Sequence, residues 1–201
     1  YKVGLNSKYE EKYHTTCVTR FDSGATKKEI SAMSTFYYPF VAQRYTNYLM
    51  APKAYPILYD IIRRITLKHI KYNKKIAFIF NKTDMINKVH DDLCKDILGI
   101  DIGIFIAGKG REQLEKLIIF TTDKSFKESI DVKDLASVAC TVPIAGEGRL
   151  EQIIGRLRNL KDKEVIFYDL VDVSIPDCVR QLNKRYPIYR KICKKIVEVN
   201  I

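Results

Sequence analysis

The stretch that decides the fold is KIAFIFNKTDMINKVHDDL, residues 75–93. Its first six residues, 75–80, form a nearly unbroken apolar run, which predicts a strand that is buried on both faces. A polar turn follows at residues 81–83, and a helix is predicted from about Asp84 to Leu98. A buried strand that leads directly into an amphipathic helix is typical of α/β proteins.

The same alternation of apolar strand and amphipathic helix continues along the chain. It predicts one α/β domain with a mostly parallel sheet and helices on both faces, and ligands are expected at the carboxyl ends of its strands. The other predicted strands are Thr15–Phe21, Asp101–Ala107, Lys116–Thr122, Ala136–Val142 and Glu164–Leu170. The other predicted helices are Thr26–Met33, Pro52–Lys71, one opening near Arg111, Gly148–Leu157 and one from Pro176 to about Val197.

Composition narrows the classes of function. The chain has 201 residues and a formal net charge of +11, which favours a polyanionic partner such as nucleic acid. Five scattered cysteines predict reduced core thiols in an intracellular protein, and no spacing of cysteine or histidine indicates a metal site. No apolar run is long enough to span a bilayer, so no membrane partner is expected.

GIFIAGKG, residues 103–110, is one residue short of a phosphate-binding loop. The bulky residues 104–106 favour a pleated strand over a loop that curls around phosphate, and Gly110 stands where Ser or Thr would bind magnesium. The segment is therefore interpreted as a strand followed by a glycine turn. A self-sufficient P-loop ATPase or kinase remains the alternative that nucleotide binding by this chain would support.

EGRLEQIIGRLRN, residues 147–159, is the most specific segment. At helical spacing, Leu150, Ile153, Ile154 and Leu157 fall on one flank and face the core. Gln152 and Arg156 form an i, i+4 pair on the other face, beside Gly155. Arginine suits phosphate because its planar guanidinium donates two parallel hydrogen bonds.

The order of these segments resembles the second RecA-like lobe of superfamily-two helicases. The Q-x-x-G-R of residues 152–156 is similar to motif VI, residues 75–93 to motif IV, and residues 117–143 to motif V. The resemblance runs from about Tyr45 to about Val197. It points to phage repair and recombination helicases and large-DNA-virus transcription helicases. It implies that the whole chain, 1–201, is the C-terminal lobe, with 1–44 as a lobe-connecting or packing segment.

The resemblance implies that ATP and Mg²⁺ are bound mainly by an N-terminal lobe absent from this chain. Arg156 would then act as the arginine finger, and Gln152 would contact the phosphate or the attacking water. Asp131 would contact the ribose or couple the nucleotide to the nucleic-acid track, with Ser129, Gly155 and Arg158 beside the nucleotide. Alone, the lobe is not expected to hydrolyse ATP.

Two departures from the family pattern weaken the roles that the resemblance implies for Arg158 and Ser129. Position 159 is Asn, so Arg158 stands one place before the usual second arginine of motif VI. Ser129 replaces the usual glycine of motif V.

The resemblance also implies a nucleic-acid track at the strand ends. DNA is the expected partner, with RNA or an RNA–DNA hybrid as further substrates, and the contacts would read the phosphodiester backbone. The residues expected to make them are Asn81, Lys82, Lys109, Arg111, Thr121 and Thr122. The aromatic stretch 36–48 is expected to pack in the core or against the other lobe, with base stacking as the alternative. The rival for the whole chain is a non-enzymatic basic domain that binds nucleic acid.

Overall fold

The computed structural model describes residues 12–107, 110–127, 132–144, 146–157, 160 and 164–201. In these residues seven parallel strands form one sheet in the order β3-β4-β2-β5-β6-β1-β7. The strands are β1 His14–Phe21, β2 Lys75–Phe80, β3 Ile102–Phe105, β4 Ile118–Thr122, β5 Leu135–Cys140, β6 Val165–Asp172 and β7 Lys195–Asn200.

Seven helices longer than four residues connect the described strands. They are α1 Lys27–Ala32, α2 Ala42–Leu49, α3 Tyr55–Lys71, α4 Thr83–Asp96, α5 Asp123–Lys127, α6 Glu147–Ile154 and α7 Pro176–Ile192; a 3₁₀ helix spans Arg111–Glu115. All eight residues of β6 and five of six in β2 are buried. Because successive side chains of a strand point to opposite faces, both faces of the sheet are covered. The predicted α/β fold is confirmed.

The N-terminal part of the chain contributes a strand to the interior of the sheet. β1 lies between β6 and β7 and pairs with both in parallel. The segment 1–44, expected to connect or pack against a second lobe, therefore includes one strand of this domain. Three of the five cysteines, Cys140, Cys178 and Cys193, are buried, and all five are free thiols. Burial raises the pKa of the Cys140 and Cys178 thiols.

Besides α5 and β7, which were not predicted, three elements differ from the sequence prediction. The closing helix ends at Ile192 rather than near Val197, because the chain becomes extended at Cys193 and enters β7. The predicted helix near Arg111 is only a five-residue 3₁₀ helix. The third is α2, which was not predicted because its sequence, AQRYTNYL, is mostly polar; Tyr45 and Leu49 bury it in the core.

The aromatic stretch around α2 divides between core and surface. Tyr45 is fully buried, as core packing requires, whereas Phe36 and Tyr37 are 96% and 82% exposed. Tyr48 donates a hydrogen bond from its hydroxyl to the Ser23 carbonyl, 3.2 Å away. The core part of the aromatic prediction is confirmed, and the role of the exposed pair stays a prediction. Among the described residues, no helix is both long and apolar enough to cross a membrane.

Candidate functional site

The carboxyl ends of β2, β4 and β5 meet at one edge of the sheet, called here the carboxyl edge. Phe80, the last residue of β2, lies beside Thr122, the last residue of β4. On the other side of β2, the Thr141 backbone N–H donates to the Ile79 carbonyl over 3.1 Å. The segments that follow these three strands therefore start side by side, where the fold is expected to collect ligands.

Asn81 and Lys82 leave β2 at this edge and are held by α2. The Asn81 amide nitrogen donates to the Thr46 hydroxyl at 3.2 Å. The Lys82 ammonium donates to the Asn47 side-chain oxygen. Both side chains remain half-buried. A helix that the sequence did not predict thus orients two of the residues expected to contact nucleic acid.

The two threonines at the end of β4 occupy different environments. Thr121 is 1% exposed, and its hydroxyl donates to the Thr122 carbonyl. Thr122 is half-buried, and its hydroxyl donates to Ser125 Oγ at 2.9 Å, at the start of α5. Burial therefore does not favour a ligand contact by Thr121, whose role stays an untested prediction, while Thr122 faces the carboxyl edge.

The stretch that resembles a P-loop is a strand for half of its length. Gly103 lies inside β3, paired with Ile119 of β4. A Cβ atom at Gly103 would lie 2.2 Å from the Gln113 carbonyl oxygen, so the glycine lets the 3₁₀ helix pack directly on β3. Residues 102–105 thus form no phosphate-binding loop, and the strand interpretation is confirmed.

The turn after β3 holds one described candidate for contact with nucleic acid. Gly110 has a φ of +74° and precedes the 3₁₀ helix, whose first residue, Arg111, is exposed. Glycine adopts a left-handed φ without steric cost, so Gly110 suits this turn. Gly108 and Lys109 lie outside the described residues.

Helix α6 presents Arg156 just after its end. Leu150, Ile153 and Leu157 are buried, as the helical pattern predicts. The α-helix ends at Ile154, earlier than predicted, and a tighter turn follows in which the Arg156 N–H donates to the Ile153 carbonyl at 3.2 Å. Gln152 is exposed and Arg156 is half-buried, so both side chains reach the surface of the domain.

The Arg156 side chain reaches α5, which follows β4. Its Nη2 atom donates to the Lys127 carbonyl at 2.6 Å, and the guanidinium carbon lies 5.4 Å from the centre of the Phe126 ring. Lys127 is the last described residue before the segment that contains Ser129 and Asp131. The structure therefore brings Arg156, the motif VI-like arginine, against Lys127, which lies within the motif V-like segment. Ser129, Asp131 and Arg158 themselves lie outside the described residues.

Gly155 occupies the C-cap of α6 with ordinary helical backbone angles. Its nearest neighbour is the Glu151 carbonyl oxygen, 3.0 Å from where a Cβ atom would lie. A Cβ atom at this position would therefore pack tightly against the preceding turn. The role of Gly155 beside the nucleotide stays a prediction.

A bidentate ion pair that sequence reasoning missed joins α6 to α5. Arg149 Nε donates to Asp123 Oδ1 at 2.8 Å, and the second guanidinium nitrogen contacts Oδ2. Lys127 lies 3.7 Å from the same carboxylate. The pair is 26 residues apart in sequence, so no local spacing reveals it. The sequence signal for this pair is Asp123, an acidic residue directly after the end of β4.

A cavity of about 180 Å³ opens beside this ion pair and is called the edge cavity. Its polar lining includes Asn81, Asp123, Arg149 and Gln181, and Ile79, Val142 and Ile144 supply part of the apolar lining. In the part of the chain that the structure describes, no group of three or more His, Cys, Asp or Glu side chains could hold a metal ion. The carboxyl edge thus combines amide and guanidinium hydrogen-bond donors with apolar side chains that line the same cavity.

Comparisons with known proteins identify the fold. No protein-family model matches the sequence. No curated protein matches it either. Among solved structures, the chain is similar to T4 UvsW, with a TM-score of 0.65, 16% identity and 93% of this chain covered. It is also similar to S. cerevisiae Dbp5 bound to RNA and ADP BeF3, with a TM-score of 0.60, 10% identity and 94% covered.

In both of these comparisons the match covers 41% of the other chain, so this chain spans about two fifths of their length. A third match is the C-terminal domain of the DEAD-box protein Dbp5, with a TM-score of 0.54 and 15% identity over 71% of this chain and 83% of that one. The fold is that of a single RecA-like domain, and it is similar to the C-terminal domain of Dbp5.

Proposed function

We propose that this chain is the C-terminal lobe of an ATP-dependent superfamily-two helicase or translocase that acts on DNA. The observation that carries the proposal is the position of Arg156, at the end of α6 and against the last residues of α5. The RecA-like fold supports it, and so does the excess of positive charge.

The surroundings of Arg156 fit a phosphate group. The Lys127 carbonyl and the Phe126 ring orient the guanidinium, which stays half-buried rather than enclosed. An oriented guanidinium donates bidentate hydrogen bonds to phosphate oxygens with little loss of side-chain entropy. Bound ATP would supply the phosphoryl group that is transferred to water. Arg156 would stabilise the negative charge that develops on it.

The remaining nucleotide contacts follow from the neighbourhood of Arg156. Gln152 is exposed on the last turn of α6 and would donate to the phosphate or orient water. Ser129 and Asp131, which follow Lys127 closely in sequence, would meet the ribose. Mg²⁺ would be held mainly by the N-terminal lobe.

The carboxyl edge is the proposed nucleic-acid surface. Asn81, Lys82 and Thr122 lie there, and Arg111 with Lys109 would extend it along the turn after β3. Amide, ammonium and hydroxyl donors suit phosphodiester oxygens, which carry no sequence information. We therefore propose weak sequence preference and strong dependence on salt.

Arg156→Ala in a protein that contains both lobes tests the nucleotide role. We expect DNA-stimulated ATP hydrolysis to fall by at least about 10³-fold, because an arginine finger contributes on that order. DNA binding without nucleotide should change less than about two-fold, since Arg156 is placed away from the phosphodiester contacts. Arg64→Ala is the matched control, because Arg64 lies on α3 and its side chain is 65% exposed.

Undiminished turnover in the Arg156 variant would remove the finger assignment. Binding without any turnover by the intact protein would instead support a non-enzymatic nucleic-acid-binding domain. Running the assay on single-stranded DNA, forked DNA, RNA and an RNA–DNA hybrid identifies the substrate. A role in viral transcription, replication or repair would follow from the preferred substrate.

A further inference from the structure

A larger cavity, of about 580 Å³, lies between the start of α6 and the side of α7 and is called the α6–α7 cavity. Ile144 and Gln181 line both this cavity and the edge cavity, so the two are neighbours. Asn81 also lines the edge cavity. The two neighbouring cavities are therefore lined by residues from the end of β2 to α7.

The lining of the α6–α7 cavity is strongly basic. Its charged side chains are Arg180, Lys184, Arg185, Lys191 and a single carboxylate, Glu147. Arg180 pairs with Asp177, and Lys191 lies 3.8 Å from Glu151. Lys184 makes no ion pair with any residue that the structure describes. An excess of cations around a concave site favours an anionic ligand.

Arg185 is a buried hydrogen-bond donor in the lining of the cavity. The residue is 3% exposed, and its Nε and Nη2 atoms donate to the two oxygens of Asp169, each at 3.0 Å. Its third nitrogen, Nη1, is buried and has no hydrogen-bond partner among the described residues. Buried polar atoms are rarely left without a partner, so Nη1 calls for an acceptor, which water or a ligand in the adjoining cavity would supply.

Gln181 also has a buried atom without a partner in the described chain, but this atom is a hydrogen-bond acceptor rather than a donor. Its side-chain oxygen is buried and has no hydrogen-bond donor within the described parts of the chain. A ligand that satisfies both atoms must offer an acceptor to Arg185 and a donor to Gln181. A nucleotide within a strand offers both, because its phosphodiester oxygens accept and the N–H groups of its base donate.

We propose that the α6–α7 cavity binds a nucleotide of the single strand that crosses the carboxyl edge. The inference rests on the proposed function, because the strand reaches the cavity from Asn81 and Lys82. The strand would lie along the start of α6, the helix that carries Gln152 and leads to Arg156. Strand binding would thereby contact the same helix that senses the nucleotide.

The double variant Arg180→Ala/Lys184→Ala tests the cavity in this 201-residue chain. Both side chains are exposed, so the fold should be unaffected. Removing two phosphate contacts should reduce the magnitude of the slope of log K against log salt by about 1.4, since each contact contributes about 0.7 for a single strand. Affinity at 0.1 M salt should fall by roughly 10- to 30-fold. The readout is fluorescence anisotropy of labelled oligonucleotides.

Lys68→Ala/Lys71→Ala is the charge-matched control. It removes the same charge from the end of α3, which precedes β2 and so lies at the opposite edge of the sheet. We expect its slope to stay close to the original. With oligonucleotides lengthened from about 4 to about 16 nucleotides, only chains with an intact cavity should gain affinity at the longer lengths.

The outcomes separate this inference from the proposed function. If Lys82→Ala weakens binding while Arg180→Ala/Lys184→Ala behaves like the control, the cavity contact is overturned and the carboxyl edge stands. If neither variant has an effect, the proposed nucleic-acid surface fails as well. Tripolyphosphate that saturates the chain without displacing the strand would show a small-anion site and overturn the inference.

Discussion

Arginine is used in two contrasting ways in the interior of this domain and at its carboxyl edge. In the interior, Arg185 and Asp169 are 3% and 2% exposed, and Tyr189 donates to the same carboxylate at 2.7 Å. At the edge, Arg149 and Arg156 hold a carboxylate and a carbonyl while keeping part of each side chain in solvent. Asp169 and Tyr189 hold Arg185 in a fixed position and leave its Nη1 atom without a partner among the described residues, whereas the edge arginines keep part of their side chains exposed.

The electrostatics of the interior pair explain the difference. Burial by itself lowers the pKa of the Arg185 guanidinium, but the Asp169 carboxylate and the Tyr189 hydroxyl more than offset this and raise it. Asp169 and Tyr189 therefore stabilise the charged guanidinium inside the protein. Loss of one partner would leave the other charge buried without compensation.

The largest expected effect comes from breaking this interior pair. Arg185→Met should lower the free energy of unfolding by about 3 to 5 kcal/mol, because Asp169 is left buried and unpaired. Arg185→Met/Asp169→Leu should recover much of that loss, since two apolar side chains then replace two charges. Urea denaturation followed by circular dichroism measures both. A double variant no more stable than the single one would contradict this account.

The next expected effect concerns His69, another buried polar group of the interior. Its ring nitrogens lie 2.8 Å from the Ile65 carbonyl and 2.9 Å from the Ser137 hydroxyl. Burial lowers its pKa to about 4 from the ordinary 6.5. His69 therefore binds a proton below pH 6.5 in the unfolded chain, but only below about pH 4 in the folded chain.

Stability should consequently fall as the pH drops from 6.5 toward 4. His69 should account for about 1 to 3 kcal/mol of that loss. His69→Gln removes the titration, so this variant should lose less stability than the original chain between pH 7.5 and pH 4.5. His90→Gln, on the half-buried His90 of α4, is the control. Equal acid losses in all three proteins would show that His69 does not carry the effect.

The sheet was predictable from sequence because its strands are apolar runs. KIAFIF and EVIFYDL leave no solvent-facing side, so both the strand type and its burial follow from local composition. β7 was missed since KIVEVN is short and largely exposed, and it continues the apolar spacing of α7. Only pairing with β1 distinguishes it from the end of a helix.

The site was predictable only in part, for a different reason. The Q-x-x-G-R spacing predicts one helix for Gln152 and Arg156, and the structure has Gln152 on α6 and Arg156 directly after its C-cap, Gly155. Their roles stay predictions. The contacts that orient other side chains of the carboxyl edge come from residues distant in sequence. α2 contacts Asn81 and Lys82, and Asp123 contacts Arg149. These contacts depend on the tertiary packing of separate elements, which no local pattern records.

The smallest expected effect is at the edge, where the Arg149–Asp123 pair allows a direct comparison with Arg185–Asp169. The two edge side chains are 35% and 17% exposed. Solvent screening and side-chain entropy limit such a pair, so its coupling free energy should be about 0.5 to 1 kcal/mol. A double-mutant cycle with Arg149→Ala and Asp123→Ala, measured by urea denaturation, gives this value.

The same cycle on Arg185 and Asp169 should give a coupling several times larger, because neither charge can be solvated after its partner is removed. Similar couplings in the two cycles would erase the distinction between interior and edge. A weak edge pair has a functional consequence: Arg149 can exchange the Asp123 carboxylate for a phosphate at little cost in stability. On the proposed nucleic-acid surface, the partly exposed edge arginines are suited to bind and release a strand, whereas Asp169 holds Arg185 in a fixed position.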